Sequence, residues 1–139
     1  MTALEKYRKD YRGKSINKLL GKQSAPIKYP PDSWTPLQKR WMQLRDKPVD
    51  QMTVEDMRFM IGQEHGAFYI IPFAIPLLEE DILAEGNYYP GDLLNAILSL
   101  PLKAWEDHQV LKQRITDLIL ANEEALQEED IAYQDFLKG

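Results

Sequence analysis

Residues 67–83, AFYIIPFAIPLLEEDIL, are apolar almost all round until the acids Glu79–Asp81 begin. A helix without a polar face belongs in an interior, so this stretch predicts a central buried helix around which the rest is wrapped. Proline lacks an N–H and crowds the preceding turn, so Pro72 either lies in the first turn or kinks the helix. With Pro72 and Pro76 interrupting it, the run falls short of the roughly 18 apolar residues that a membrane span requires.

Working outward, helix signals recur on both sides. On the amino side, Thr53 is placed to cap a helix, Glu55 and Asp56 fill its positive first turn, and Val54, Met57, Met60 and Ile61 face inward. Gly66 is expected to end it, with His65 at the negative helix end, where a partly protonated imidazole suits the dipole. Before that, Thr35, Pro36 and Gln38 give a start signal for a helix with the stripe Leu37, Trp41 and Leu44, closed by Pro48. Residues 2–12 are helix-forming up to Gly13, and Ser15 caps a short helix with Ile16, Leu19 and Leu20 that ends at Gly21. Residues 22–34 (KQSAPIKYPPDSW) read as an extended connector, because each proline pushes its predecessor out of helical geometry. Residues 1–31 are therefore a possible mobile or loosely docked basic arm.

On the carboxyl side, AEGNYYPGD (84–92) is a turn, and Asp92 is placed to cap a helix carrying Leu93, Leu94, Ile97 and Leu98. Pro101 opens a short helix with Trp105. The segment 109–126 spaces Leu111, Ile115, Leu118, Ile119 and Ala125 helically, and 129–137 contributes Ile131, Tyr133 and Phe136. No period-2 strand stands out. The expectation is an all-α single domain over residues 1–139, an irregular bundle of about six to eight helices.

Charge divides the chain. The net charge is −5, yet residues 1–50 hold 12 Lys/Arg against 5 Asp/Glu, whereas residues 51–139 hold 5 against 17. Either the basic third neutralises the acidic remainder internally, or the two regions present surfaces of opposite sign. A basic arm with Tyr7 and Tyr11 interleaved suits nucleic acid; an acidic body suits a basic protein.

Chemistry is poorly represented. Cysteine is absent, so disulfides and thiolate metal sites are excluded, in keeping with a reducing cytoplasm. Met1–Arg12 alternates charges and carries no apolar signal core. The two histidines, His65 and His108, lie 43 positions apart with no Glu-x-x-His or His-Glu-x-x-His around them. Gly13-Lys14-Ser15 lacks the glycine five residues earlier that a phosphate loop needs. The paired carboxylates sit in solvated charge runs, without the contrasting environments that acid–base catalysis requires. A binding protein, not an enzyme, is expected, with no cofactor and no metal.

Three pieces between Met52 and Trp105 go further: TVEDMRFMIGQ (Thr53–Gln63), the proline-bearing apolar helix ending LLEE (Leu77–Glu80), and AEGNYYPGDLL (Ala84–Leu94). Together they resemble a bacterial family of contact-dependent growth inhibition immunity proteins. The resemblance implies a cytoplasmic protein that binds the C-terminal toxin domain of a surface-presented effector and neutralises it. The expected toxin is a basic ribonuclease of the pancreatic-ribonuclease-like bacterial kind. Within that frame the shared glycines and caps maintain the fold, with Gly62 allowing close helix packing. The partner contact is expected at an acidic rim of Glu79, Glu80, Asp81, Glu85 and Asp92, together with Tyr88. The competing readings are a solvated helix end for the rim, and a nucleic-acid-associated protein for the whole chain.

Overall fold

The central helix lies at the middle of the fold, which was obtained as a computed structural model and is described for residues 1–21 and 34–139. Its neighbours in chain order are α1 (Ala3–Tyr11), α2 (Ile16–Leu20), α3 (Pro36–Arg45), a 3-10 turn (Val49–Gln51) and α4 (Val54–Gly62). Then come the central helix itself, α5 (Ala67–Glu80), followed by α6 (Asp92–Leu98), a second 3-10 turn (Leu102–Trp105), α7 (Gln109–Leu120), α8 (Glu123–Glu128) and α9 (Gln134–Lys138). Among the described residues the protein is all-helical, with one isolated antiparallel bridge between Ser15 and Pro48. No helix among them is long and apolar enough to cross a membrane.

Burial follows from the sequence of α5. Ile70, Ile71, Ala74 and Ile75 are fully covered, and α1, α4 and α7 pack against this helix. Both prolines lie inside α5, beyond its first turn. Because Pro76 has no N–H, it leaves the carbonyl of Pro72 without its i+4 donor. The guanidinium of Arg8, on α1, donates to that carbonyl at 3.4 Å. A residue of the basic segment thus serves a backbone group that the core sequence strands.

Residues 1–21 are docked on the body. Leu4 and Ile16 are buried, and Tyr11 meets Tyr69 edge-on at 5.0 Å. Capping boxes start α1 (Thr2 with Glu5), α3 (Thr35 with Gln38) and α4 (Thr53 with Asp56), where side chain and backbone satisfy each other reciprocally. Of the expected connector 22–34, residues 22–33 lie outside the described residues.

Some expectations change. The segment 109–126 is two helices, because the chain turns at Ala121–Asn122 and Asn122 folds back to donate to the carbonyl of Leu118 at 2.8 Å. Gly62 faces open space, so close packing does not explain it. Gly66 does not end α4; it precedes α5 with φ +66°, and a Cβ there would lie 2.6 Å from Ile16. Both its backbone conformation and the covering α2 require glycine. Leu37, on the expected stripe of α3, is 55% exposed.

Candidate functional site

The acidic corner begins where α5 ends. Glu79, Glu80 and Asp81 are exposed at its last turn and cap. The carbonyls of a helix C-terminus carry partial negative charge, so these carboxylates add to the local potential instead of relieving it. Glu79 is tied to Arg114 at 3.1 Å, and Asp81 accepts from the backbone N–H of Leu83 at 2.9 Å. Glu80 and Glu85 have no ion-pair partner among the described residues.

The chain then makes a closed loop. The N–H of Gly91 donates to the carbonyl of Leu83 at 3.0 Å, so residues 83–91 leave and return at one point, as in a compact Ω-loop. Its inner amides are held by carboxylates. Asp92 accepts from Gly86 at 2.6 Å and Tyr88 at 3.1 Å, while Glu55 on α4 accepts from Asn87 at 2.8 Å. A Cβ on Gly86 would sit 2.5 Å from a Glu55 oxygen and 3.3 Å from its Cα. Glycine is what admits α4 so close.

Glu55 is also the centre of a cation network. Arg58 grips it with two bonds of 2.6 Å each, the bidentate geometry that guanidinium and carboxylate share, and Arg40 adds a contact at 3.2 Å. The adjacent Asp56 takes Lys47 at 2.6 Å. Arg58 in turn lies 4.4 Å from the ring centre of Tyr88, a cation–π distance. Two separate motif pieces, TVEDMR and AEGNYYPGD, therefore meet in one clamp. Its outer side presents Glu85, Asn87, Tyr88, Tyr89 and Pro90, all exposed.

Of the residues expected at the partner contact, Glu79, Glu80, Asp81, Glu85 and Tyr88 are on the surface. Asp92 is not: it is 3% exposed and both its oxygens face the loop's own amides. It is an internal acceptor for two loop amides and not the helix cap expected of it, since α6 begins at Asp92 itself, after Gly91, with no side-chain cap. Sequence reasoning missed Glu55 and Arg58 as loop-holding residues. Their i, i+3 spacing was visible, but not the 32-residue reach from Glu55 to Asn87.

The charge asymmetry is only partly cancelled. Arg40 and Lys47 of the basic third reach Glu55 and Asp56 of the acidic part. Elsewhere Glu124, Glu128, Glu129 and Asp130 remain exposed without cation partners among the described residues. Tyr7 and Tyr11 stack on each other at 6.0 Å and are half-buried, which takes them from the pool of free base-stacking rings.

An apolar groove of about 420 Å³ runs between Tyr11, Phe68, Tyr69, Leu100 and His108. His108 lies flat on Phe68, with ring centres 3.9 Å apart. The other imidazole, His65, packs on Trp41 at 5.3 Å, and its buried Nε2 has no partner among the described residues. Burial holds His65 below its ordinary pKa, and the nearby charge of Arg45 adds to this, which works against the partly protonated helix-end residue expected from sequence. Burial also lowers His108, against the opposing pull of Asp107.

These shifts give a pH prediction. The unfolded chain takes protons on histidine from its ordinary value of 6.5 downward, while the folded chain resists them. Stability from the neutral imidazoles is thus present above that value and lost as pH falls. The hydrogen bonds from Arg58, against some opposition from burial, hold Glu55 down to about 2 from 4.5, so its contribution is lost between those two values. Thermal melting should show a first decline as pH falls through the ordinary histidine value of 6.5 and a second, larger one as it falls from 4.5 toward about 2. A melting temperature that is flat or rising across the first interval contradicts the histidine assignment.

Comparison with known sequences adds one finding. Residues 22–115, more than half of the chain, match a protein family described as CDI immunity proteins. A search of curated proteins returned no match.

Proposed function

Because the chain belongs to the family of CDI immunity proteins, we propose that it docks on the C-terminal toxin domain of a contact-dependent growth inhibition effector and covers its active site or substrate surface. The toxin is a basic ribonuclease, met in the cytoplasm. The observation that carries this reading is the pairing of two features in one corner. Unpaired carboxylates (Glu80 and Glu85) stand at the negative end of α5, beside a loop whose backbone is already held in one shape. A negative field of this kind steers a cationic partner, and complementary charge raises association rates by about 10- to 1000-fold. Such an inhibitor works by occupancy, with no reactive group of its own.

The direct test uses the toxin domain encoded beside this chain. Purified protein added to that domain should abolish RNA cleavage at one equivalent, and co-expression should restore growth. Growth that stays arrested while folded protein accumulates would rule the pairing out. The acidic corner has its own test. Reversing both charges, Glu80→Lys with Glu85→Lys, should slow association by about tenfold or more at low salt and much less at high salt. Unchanged association kinetics with folded protein would remove the corner from the interface.

The nucleic-acid reading has less to stand on. Lys6, Lys9 and Arg12 are exposed, but Arg8 is engaged with the carbonyl of Pro72 and the two tyrosines pack inward. RNA binding that disappears with Lys6→Glu and Lys9→Glu would favour it over the immunity reading.

A further inference from the structure

We infer that Tyr88 is the anchor of the docking surface, receiving a lysine or arginine side chain of the toxin on its open ring face, with Glu85 as counter-ion; this rests on the immunity reading above. Tyr88 is 69% exposed although the Arg58 guanidinium lies 4.4 Å from its ring centre. One face is therefore covered and the other is open. The charge of Arg58 is already engaged by the two bonds to Glu55, so the ring keeps an attractive outer face for a second cation. Charge complementarity selects the occupant: residues 51–139 carry 17 acidic against 5 basic residues, and Glu85 stands exposed three positions before the ring.

The loop also meets the physical requirements of an anchor. Binding hot spots are enriched in tyrosine, and they act best when already ordered, because ordering a side chain or loop on binding subtracts from affinity. Here the Gly91–Leu83 closure and the hydrogen bonds donated by the backbone N–H groups of Gly86, Asn87 and Tyr88 to two carboxylates fix the backbone before any partner arrives. Glu55 and Arg58 are thus positioning residues, one for the loop backbone and one for the ring.

The test measures binding of the purified toxin domain encoded beside this chain to five variants of the intact protein. Tyr88→Ala should weaken the complex by about 30-fold or more, mostly through faster dissociation. Tyr88→Phe should stay within about threefold, since a ring face needs no hydroxyl. Glu85→Gln should slow association. Glu55→Gln should speed amide exchange at Gly86, Asn87 and Tyr88 without any partner present. It should also weaken binding, and combined with Tyr88→Ala it should add little, the non-additivity expected of residues acting through one contact. Tyr88→Ala binding within about threefold of the parent would overturn the inference while leaving the immunity reading intact. Tyr88→Phe as damaging as alanine would overturn it too, by placing the contact on the hydroxyl. A parent protein that fails to bind the toxin at all would instead defeat the function from which the inference starts.

Discussion

Glu55→Ala is expected to destabilise the fold by about 2–4 kcal/mol, a figure scaled down from the loss seen when one partner of a fully buried ion pair is removed. The carboxylate is 11% exposed and serves Arg58, Arg40 and the amide of Asn87 at once. Its removal leaves two guanidinium groups facing each other across the gap and one loop amide without an acceptor. The nearby Asp56, bound to Lys47 at 2.6 Å, also lies 3.8 Å from Arg40 and keeps a counter-charge there, whereas Arg58 loses its ion-pair partner. Urea unfolding should show a lower midpoint with an unchanged slope, because the surface exposed on unfolding is the same. A midpoint within error of the parent would mean that the network is a surface decoration.

The second large effect lies in the core. Trp105→Ala should cost about 3–5 kcal/mol, the range for removing a buried aromatic side chain. Trp105 is fully buried on a 3-10 turn, with Phe68 edge-on at 5.0 Å and Phe136 edge-on at 5.2 Å. It therefore ties α5 to α9, the last helix. Its indole N–H finds no acceptor among the described residues. That orphan makes a sharp contrast available: Trp105→Phe should cost only about 1–2 kcal/mol, since it removes volume and also a donor that is costly to leave unpaired. If phenylalanine were as damaging as alanine, the N–H would have a partner that the geometry does not reveal.

What the sequence revealed followed the range of the interactions involved. Thr35, Thr53 and Ser15 cap helices as expected, because a cap and its amide lie three residues apart. The all-round apolarity of 67–78 located the core helix, and the inward residues Ile131, Tyr133 and Phe136 are buried as their spacing suggested. The clamp was beyond reach because its parts are distant: Glu55 pairs with a loop 32 positions away, and nothing local in either piece announces the other. The same limit explains Asp92. Its exposed-looking context, Pro-Gly-Asp after two tyrosines, is that of a surface turn, but the turn folds back so that the carboxylate fills its centre. Asn122 is a different case. Asparagine before two glutamates is a start signal, and the continuous apolar spacing of 109–126 masked it.

The carboxylates that shape the 83–91 loop accept from its main-chain amides, and its side chains are held only at the surface, Tyr88 by Arg58 and the Tyr89 hydroxyl by the side-chain amide of Asn95 at 2.6 Å. Main-chain donors are the same whatever residue carries them. Two glycines are sterically committed, Gly86 by Glu55 and Gly91 by its φ of +90° and by Ile131, 2.9 Å from where a Cβ would lie. Positions 85, 87, 88 and 89 can therefore be redecorated while the scaffold underneath is left as it is. A chain built this way can be re-addressed from one adversary to another by a handful of exchanges, and a library confined to those four sites is the economical place to seek such a retargeted inhibitor.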